Sequence, residues 1–231
     1  MHRLAAELRR REGEFALELY TVEQAIAELV RSPPPRGRPV ILADTQDNPG
    51  AGGNADTMSV VKALVASGLS GVLAGVNCDP EAAARAHAAG EGASVDIALG
   101  ARTRTAGETP LESRYRVVAL GDGRFTGTGP FYRGGRFELG PMALLELGGV
   151  RIAVASRKQQ AADQAMFRHL RAEPADFAVL ALKSSVHFRA DFAPLASRVL
   201  VVEAPGPNVA DPAKLPFRRL RPGMRTGPRH A

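Results

Sequence analysis

The 231 residues contain no tryptophan, and aromatics make up only 5% of them. The core must therefore be built mainly from Ala, Val and Leu. A single cysteine, Cys78, excludes an internal disulfide and fits a reducing compartment. Its neighbour Asp79 would not lower the thiol pKa, so Cys78 reads as a bland thiol and not a nucleophile. No H-x-x-x-H, C-x-x-C or D-x-H spacing occurs, and His2, His87, His169 and His230 stand alone. A three-ligand catalytic zinc site built wholly from this chain is therefore not expected. No run of about 18 apolar residues exists, and the N-terminus lacks the apolar stretch of a signal peptide. The expectation is a soluble cytoplasmic protein without a membrane partner.

The net charge is +6. Basic residues gather only at the ends, as Arg9, Arg10 and Arg11, then Arg218, Arg219, Arg221, Arg225 and Arg229. No stacking aromatics, zinc knuckle or recognition-helix pattern accompanies them. They read as solvated surface, with no nucleic-acid partner.

Hydrophobic and charged contents of 45% and 23% are ordinary for a globular chain of this length, with one domain plus an appendage expected. Residues 1–20 carry Leu4, Leu8, Phe15 and Leu19 at helical spacing. Thr21 and Gln24 form a T-x-x-Q capping box for a second helix. The run Ser32-Pro33-Pro34-Pro35-Arg36-Gly37 is a stiff linker, which makes residues 1–36 a joint. Strand and helix then alternate: strands at 40–43, 71–76 and 94–99, helices at 57–67 and 80–89. This is the pattern of parallel βαβ units. From about 109 to 155 the character is antiparallel, with hairpins turning at Gly121-Asp122-Gly123 and at Gly148-Gly149. A helix at 161–170, a buried strand at 177–182, a helix at 186–195 and a strand at 197–203 complete the chain. The expected fold is α/β: a mostly parallel sheet flanked by helices, with an inserted antiparallel hairpin region.

The stretch from Ile41 to Thr57 organises the rest. Its apolar strand opens into a loop carrying Asp44, Asp47, Asp56, Pro49 and the glycines Gly50, Gly52 and Gly53. Met58, Val61, Leu64 and Val65 then mark a helix face, with Asp56 or Thr57 as N-cap. Backbone N–H groups converge in such a strand–loop–helix unit. Phosphate loops of this shape carry a lysine, and this one has none. It suits a cation, a substrate amine or a peptide. An Asx-turn that merely shapes the connection is the alternative.

Ligands of parallel α/β sheets bind beyond the carboxyl ends of the strands. Polar residues recur there: Asp44 and Asp47, Asn77 and Asp79, then Lys183, Ser184 and His187, then Pro205-Gly206. His187 and Asp191, four apart on a helix, can pair so that the carboxylate orients the imidazole; a local helix pair beside core-facing Phe188 and Phe192 is the alternative. Lys183 reads as an electrophile or as a salt-bridge anchor for Asp44 or Asp47. Arg157 is a weak candidate carboxylate binder.

Three segments carry a resemblance: Asp44-Thr45-Gln46-Asp47-Asn48-Pro49-Gly50-Ala51-Gly52-Gly53, Lys183-Ser184-Ser185-Val186-His187-Phe188-Arg189-Ala190-Asp191-Phe192, and Ala204-Pro205-Gly206 with Leu215-Pro216-Phe217-Arg218-Arg219. Their sequence and order are similar to the C-terminal domain of the microcystinase C-like (MlrC-like) zinc metallopeptidases, from about residue 5 to about residue 222. The resemblance implies peptide hydrolysis. It places the family's metal ligands, a Glu, a D-x-H pair and a further His, in a larger N-terminal domain that this sequence does not contain. Residues 1–36 would then be the end of that domain, 37–222 the C-terminal α/β domain, and 223–231 an Arg/Pro-rich tail that departs from the family pattern.

On this reading the chain lines the substrate cleft and is inactive without the metal-bearing domain, or a split partner chain, to complete it. It binds no cofactor alone, zinc belonging to the complete enzyme. The matched positions Asp44, Asp47, Asn48, Gly50, Gly52, Gly53, Lys183, Ser184, His187 and Arg189 become candidates for binding a peptide substrate. Lys183 and His187 are also catalytic candidates, with no role assigned. A homo-oligomer stays open. The competing reading is a free-standing α/β protein that binds a cation or a peptide; a phosphate or nucleotide binder is disfavoured by the three acids and the absent lysine.

Overall fold

Three of the strands are apolar at every inward position, because helices cover both of their faces. The computed structural model describes residues 2–228, so Arg229 and His230 lie outside the described residues. In chain order the strands are β1 (Tyr20–Thr21), β2 (Val40–Asp44), β3 (Val72–Cys78), β4 (Ser94–Leu99), β5 (Leu111–Gly121), β6 (Arg124–Thr126), β7 (Arg136–Glu138), β8 (Met142–Leu147), β9 (Val150–Ala155), β10 (Val179–Leu182) and β11 (Arg198–Glu203). The helices are α1 (His2–Arg10), α2 (Val22–Arg31), α3 (Ser59–Ala66), α4 (Pro80–Ala89), α5 (Ala165–Arg168) and α6 (Arg189–Phe192).

Nine strands form one sheet in the order β1-β11-β2-β10-β3-β9-β8-β5-β4. Pairing is parallel from β1 through β9 and antiparallel from β9 to β4. Alternation along the central strands builds two cores. Val40 and Leu42, Val72 and Ala74, Val179 and Ala181 face the layer of α2, α3 and α4. Ile41 and Ala43, Leu73 and Val76, Leu180 and Leu182 face the layer that holds Phe167, Phe188 and Phe192. The few aromatics thus concentrate under α5 and α6, while the opposite core is almost wholly aliphatic.

The capping box at Thr21 and Gln24 forms in both directions, at 3.2 and 2.8 Å. Asp79 caps α4 through Ala82 N, with Pro80 at the first helical position. Leu147 pairs with Val150 across Gly148-Gly149, a two-residue hairpin.

Several expectations are corrected. The segment 94–99 is not the next parallel strand: β4 pairs antiparallel with β5 at the far edge. Gly121-Asp122-Gly123 is not a hairpin turn. There β5 leaves the sheet, and β6 pairs instead with β7 as a separate two-stranded ribbon. Gly123 sits at φ +75° and donates to His169 Nε2, so the turn serves the packing of residue 169. The helices expected at 161–170 and 186–195 shrink to single α turns, the flanking residues closing as tight i→i−3 turns such as Phe167 N to the Gln164 carbonyl and Leu195 N to the Phe192 carbonyl. Neither Asp56 nor Thr57 caps α3. Glu108, fifty residues on, accepts from Met58 N at 2.6 Å and from Ser59 Oγ. No helix among the described residues is long and apolar enough to cross a membrane.

Candidate functional site

Strands β2, β10 and β11 are neighbours and run the same way, so the segments following them meet at one edge of the sheet. The segment after β2 is held by Asp47. Its carboxylate is fully buried and accepts from Asn54 N, Ala55 N and Thr57 N, each at 2.8 Å, and from Thr57 Oγ1 at 2.9 Å. Lys183, just past β10, adds its ammonium at 2.9 Å from Asp47 and 2.9 Å from Asp44. It also donates to the Thr57 carbonyl at 2.8 Å. The glycines permit this close winding: an added Cβ at Gly53 would stand 2.5 Å from the Asp47 carbonyl carbon. Gly52 lies at φ +93°, in the left-handed region, and Gly206 backs onto the Gln46 backbone with no room for a side chain.

Burial governs the ionisation of this cluster. It would raise Asp47, but Lys183 and the Thr57 hydrogen bonds outweigh it, and the net pKa is lowered. Burial would lower Lys183; the two carboxylates outweigh that, and its pKa is raised. Asp44 goes the other way: burial dominates and raises it, and its Oδ1 has no hydrogen-bond partner. The salt-bridge reading of Lys183 is thus the observed geometry. Asp44, Asp47, Lys183 and Ser184 form a buried floor, and Ser184 Oγ is itself without a partner. Asp56 is engaged by Thr103 N and Oγ1, and Asp79 by Gly100 N and Arg102 Nε. The loop is acidic in composition but offers no open carboxylate.

Above this floor lies a cleft of about 630 Å³, lined by Thr45, Asn48, Gly50, Ser185, His187, Arg189 and Asn208, with Leu17, Val186, Val201 and Val209 as apolar walls. Ser185 Oγ joins its halves: it donates to the Thr45 carbonyl at 3.0 Å and accepts from Thr45 Oγ1 at 2.8 Å and Asn48 Nδ2 at 3.1 Å. Asn208 reaches the same Thr45 carbonyl at 3.2 Å. Of the ten matched positions, Asn48, Gly50, His187 and Arg189 line the cleft, Gly53 packs beneath it, and Gly52 turns outward on the loop.

His187 does not pair with Asp191. Asp191 Oδ2 accepts from Gln164 N at 2.7 Å, and Oδ1 from Gln164 Nε2 at 3.1 Å. His187 instead meets Gln160: Nδ1 lies 3.0 Å from Oε1. The Gln160 amide nitrogen donates to Tyr132 Oη at 2.8 Å, so Oε1 is the acceptor and, with the amide so oriented, Nδ1 carries the proton. The lone pair of neutral His187 then sits on Nε2. Phe131 stacks on the ring at 4.2 Å between centroids. Four contributors escaped the sequence reading: Thr45, Ser185, Gln160 and Asn208. Ser185 sat inside the matched run and Asn208 just beyond the Pro205-Gly206 strand end; Gln160 had no signal. Arg157 stays outside, donating to the Glu138 carbonyl.

No group of three or more His, Cys, Asp or Glu among the described residues could hold a metal ion. The donor chemistry explains this, since the loop carboxylates already serve Lys183 and backbone amides.

Fold and site together define an open-sheet α/β protein with its cleft at the carboxyl edge of the parallel strands. The family model described as MlrC C-terminus matches residues 42–219, and the chain belongs to that family. Microcystinase C of Sphingomonas sp. is 31% identical over 164 residues, covering 71% of this chain and 32% of that protein. The crystal structure of a candidate metallopeptidase from Mesorhizobium sp. BNC1 superposes with a TM-score of 0.74 at 26% identity, over 95% of this chain and 43% of that one. The chain thus spans a third to under half the length of these relatives.

Proposed function

We propose that this chain is the substrate-facing part of a metallopeptidase whose metal ligands come from polypeptide outside it. The supporting observation is the cleft itself: family-matching residues from three strand ends converge on one open surface, while the chain's own carboxylates are held below it by Lys183. Residues 1–36 then act as the joint to the metal-bearing part, and 37–222 as the cleft domain.

No group of three or more His, Cys, Asp or Glu among the described residues provides a metal donor set. The chain's contribution is binding and orientation. The Thr45–Ser185–Asn48 network fixes the cleft wall, His187 Nε2 offers a hydrogen-bond acceptor, and Arg189 offers a cation. An acceptor imidazole held by Gln160 can orient a substrate amide N–H or hold a water beside a scissile bond. The alternative of a free-standing cation binder loses its basis, because the loop acids it would use are engaged.

The test is peptide hydrolysis by the chain mixed with the remaining portion of microcystinase C carrying zinc. The mixture is expected to hydrolyse linear peptides faster than either component. No gain over the separate components counts against the proposal.

A further inference from the structure

The cleft has a pronounced charge imbalance. Its lining includes Arg189 and His187 but no Asp or Glu. Among the described residues Arg189 has no ion pair; its guanidinium carbon lies 5.4 Å from the Phe188 ring centre, which leaves the fork of N–H donors open. An Arg fork against apolar walls matches the planar, bidentate geometry of a carboxylate.

A phosphate fits less well, because the amides of the glycine-rich turn, residues 50–55, are already engaged. Gly50 N is taken by Asn48 Oδ1, Ala51 N and Gly53 N by the Asn48 carbonyl, and Gly52 N by the Pro49 carbonyl. Asn54 N and Ala55 N go to Asp47. These six amides are turned inward, and one arginine remains. Val186, 62% exposed, and Leu17, 56% exposed, offer apolar contact beside it.

We infer that Arg189 binds a carboxylate of the peptide, with the adjacent apolar walls taking a neighbouring aliphatic side chain. This rests on the cleft reading above and names the substrate class: peptides with a free carboxylate next to an apolar residue. Arg189 acts here as a specificity-determining residue.

The experiment is calorimetric titration of the full chain with N-acetyl-Leu-Leu, its C-terminal amide, and N-acetyl-Leu-Asp amide, repeated on R189M and R189K. Inorganic phosphate serves as competitor. At least one carboxylate peptide is expected to bind about tenfold tighter than the uncharged amide. The terminal and side-chain acids tell the two carboxylate sources apart. R189M should remove the preference, R189K should keep part of it, and phosphate should not displace the peptide. Arg189 is exposed, so the melting temperature of R189M should match wild type. Equal binding of acid and amide, an undiminished preference in R189M, displacement by phosphate, or no binding of any peptide overturns the inference. Hydrolysis by the mixed components, assayed separately, reports on the peptidase reading whichever way this falls.

Discussion

Lys183 Nζ lies 2.9 Å from Asp47 Oδ2, and this one contact ties together the ends of two neighbouring parallel strands from positions 136 residues apart. It converts a loop whose composition looks like a cation site into a rigid base for a cleft.

Removing either partner should show in stability. K183M leaves Asp44 and Asp47 buried without their cation, and breaking such a pair costs about 3–5 kcal/mol. D47N leaves Lys183 with Asp44 but turns an amide NH2 against donors on one side of residue 47, so it too should cost about 3–5 kcal/mol. Urea unfolding of both variants measures the two costs; a K183M variant as stable as wild type would refute the structural role.

The same cluster sets a pH dependence. Asp47 has a lowered folded pKa, so its contribution is present above its unfolded value of about 3.9 and is lost as pH falls through the folded value. Lys183 has a raised folded pKa, so its contribution is full below about 10.4 and is lost as pH rises through the folded value. Asp44 is raised by burial and opposes Asp47 in the acid range. The raised Asp44 gives up stability as pH climbs through its own titration range, and above that range the cluster's contribution should be flat up to about 10.4. D47N should flatten the acid limb and K183M the alkaline one, as read by thermal melts across pH.

Cys78 should be inert. Burial, aided by Asp56 and Asp79, pushes its thiol up to about 11. Against a free cysteine at pH 8, its reaction with a disulfide reagent should be slower by a factor on the order of 100. Rapid labelling of the folded chain would contradict this.

The tautomer of His187 is directly observable. Nitrogen-15 correlation spectra of the neutral ring should show the proton on Nδ1, facing Gln160 Oε1. Q160L removes that acceptor and should mix the two tautomers, with an unchanged fold.

Local signals in the sequence carried much of the architecture. The strands and helices from 40 to 89, the Thr21–Gln24 box and the Gly148-Gly149 hairpin all depend on residues within a few positions of one another, and they form where the sequence puts them. Long-range choices were not legible. Glu108 takes over the cap of α3, Asp191 turns from His187 to Gln164, and Gly123 packs on His169 instead of closing a hairpin. For the candidate site, strand-end position brings the residues after β2, β10 and β11 to one edge, since parallel neighbours bring their ends together whatever the side chains. It could not tell floor from lining. That split depends on Lys183 crossing to the loop after β2, which no spacing records.

The most direct measurement is a chemical-shift map of the labelled chain titrated with a short linear peptide. The account predicts that perturbations cluster at Thr45, Asn48, Ser185, His187, Arg189 and Asn208. Perturbations centred at the opposite end of the sheet, around Arg151 and Phe177, or none at saturating peptide, would contradict it.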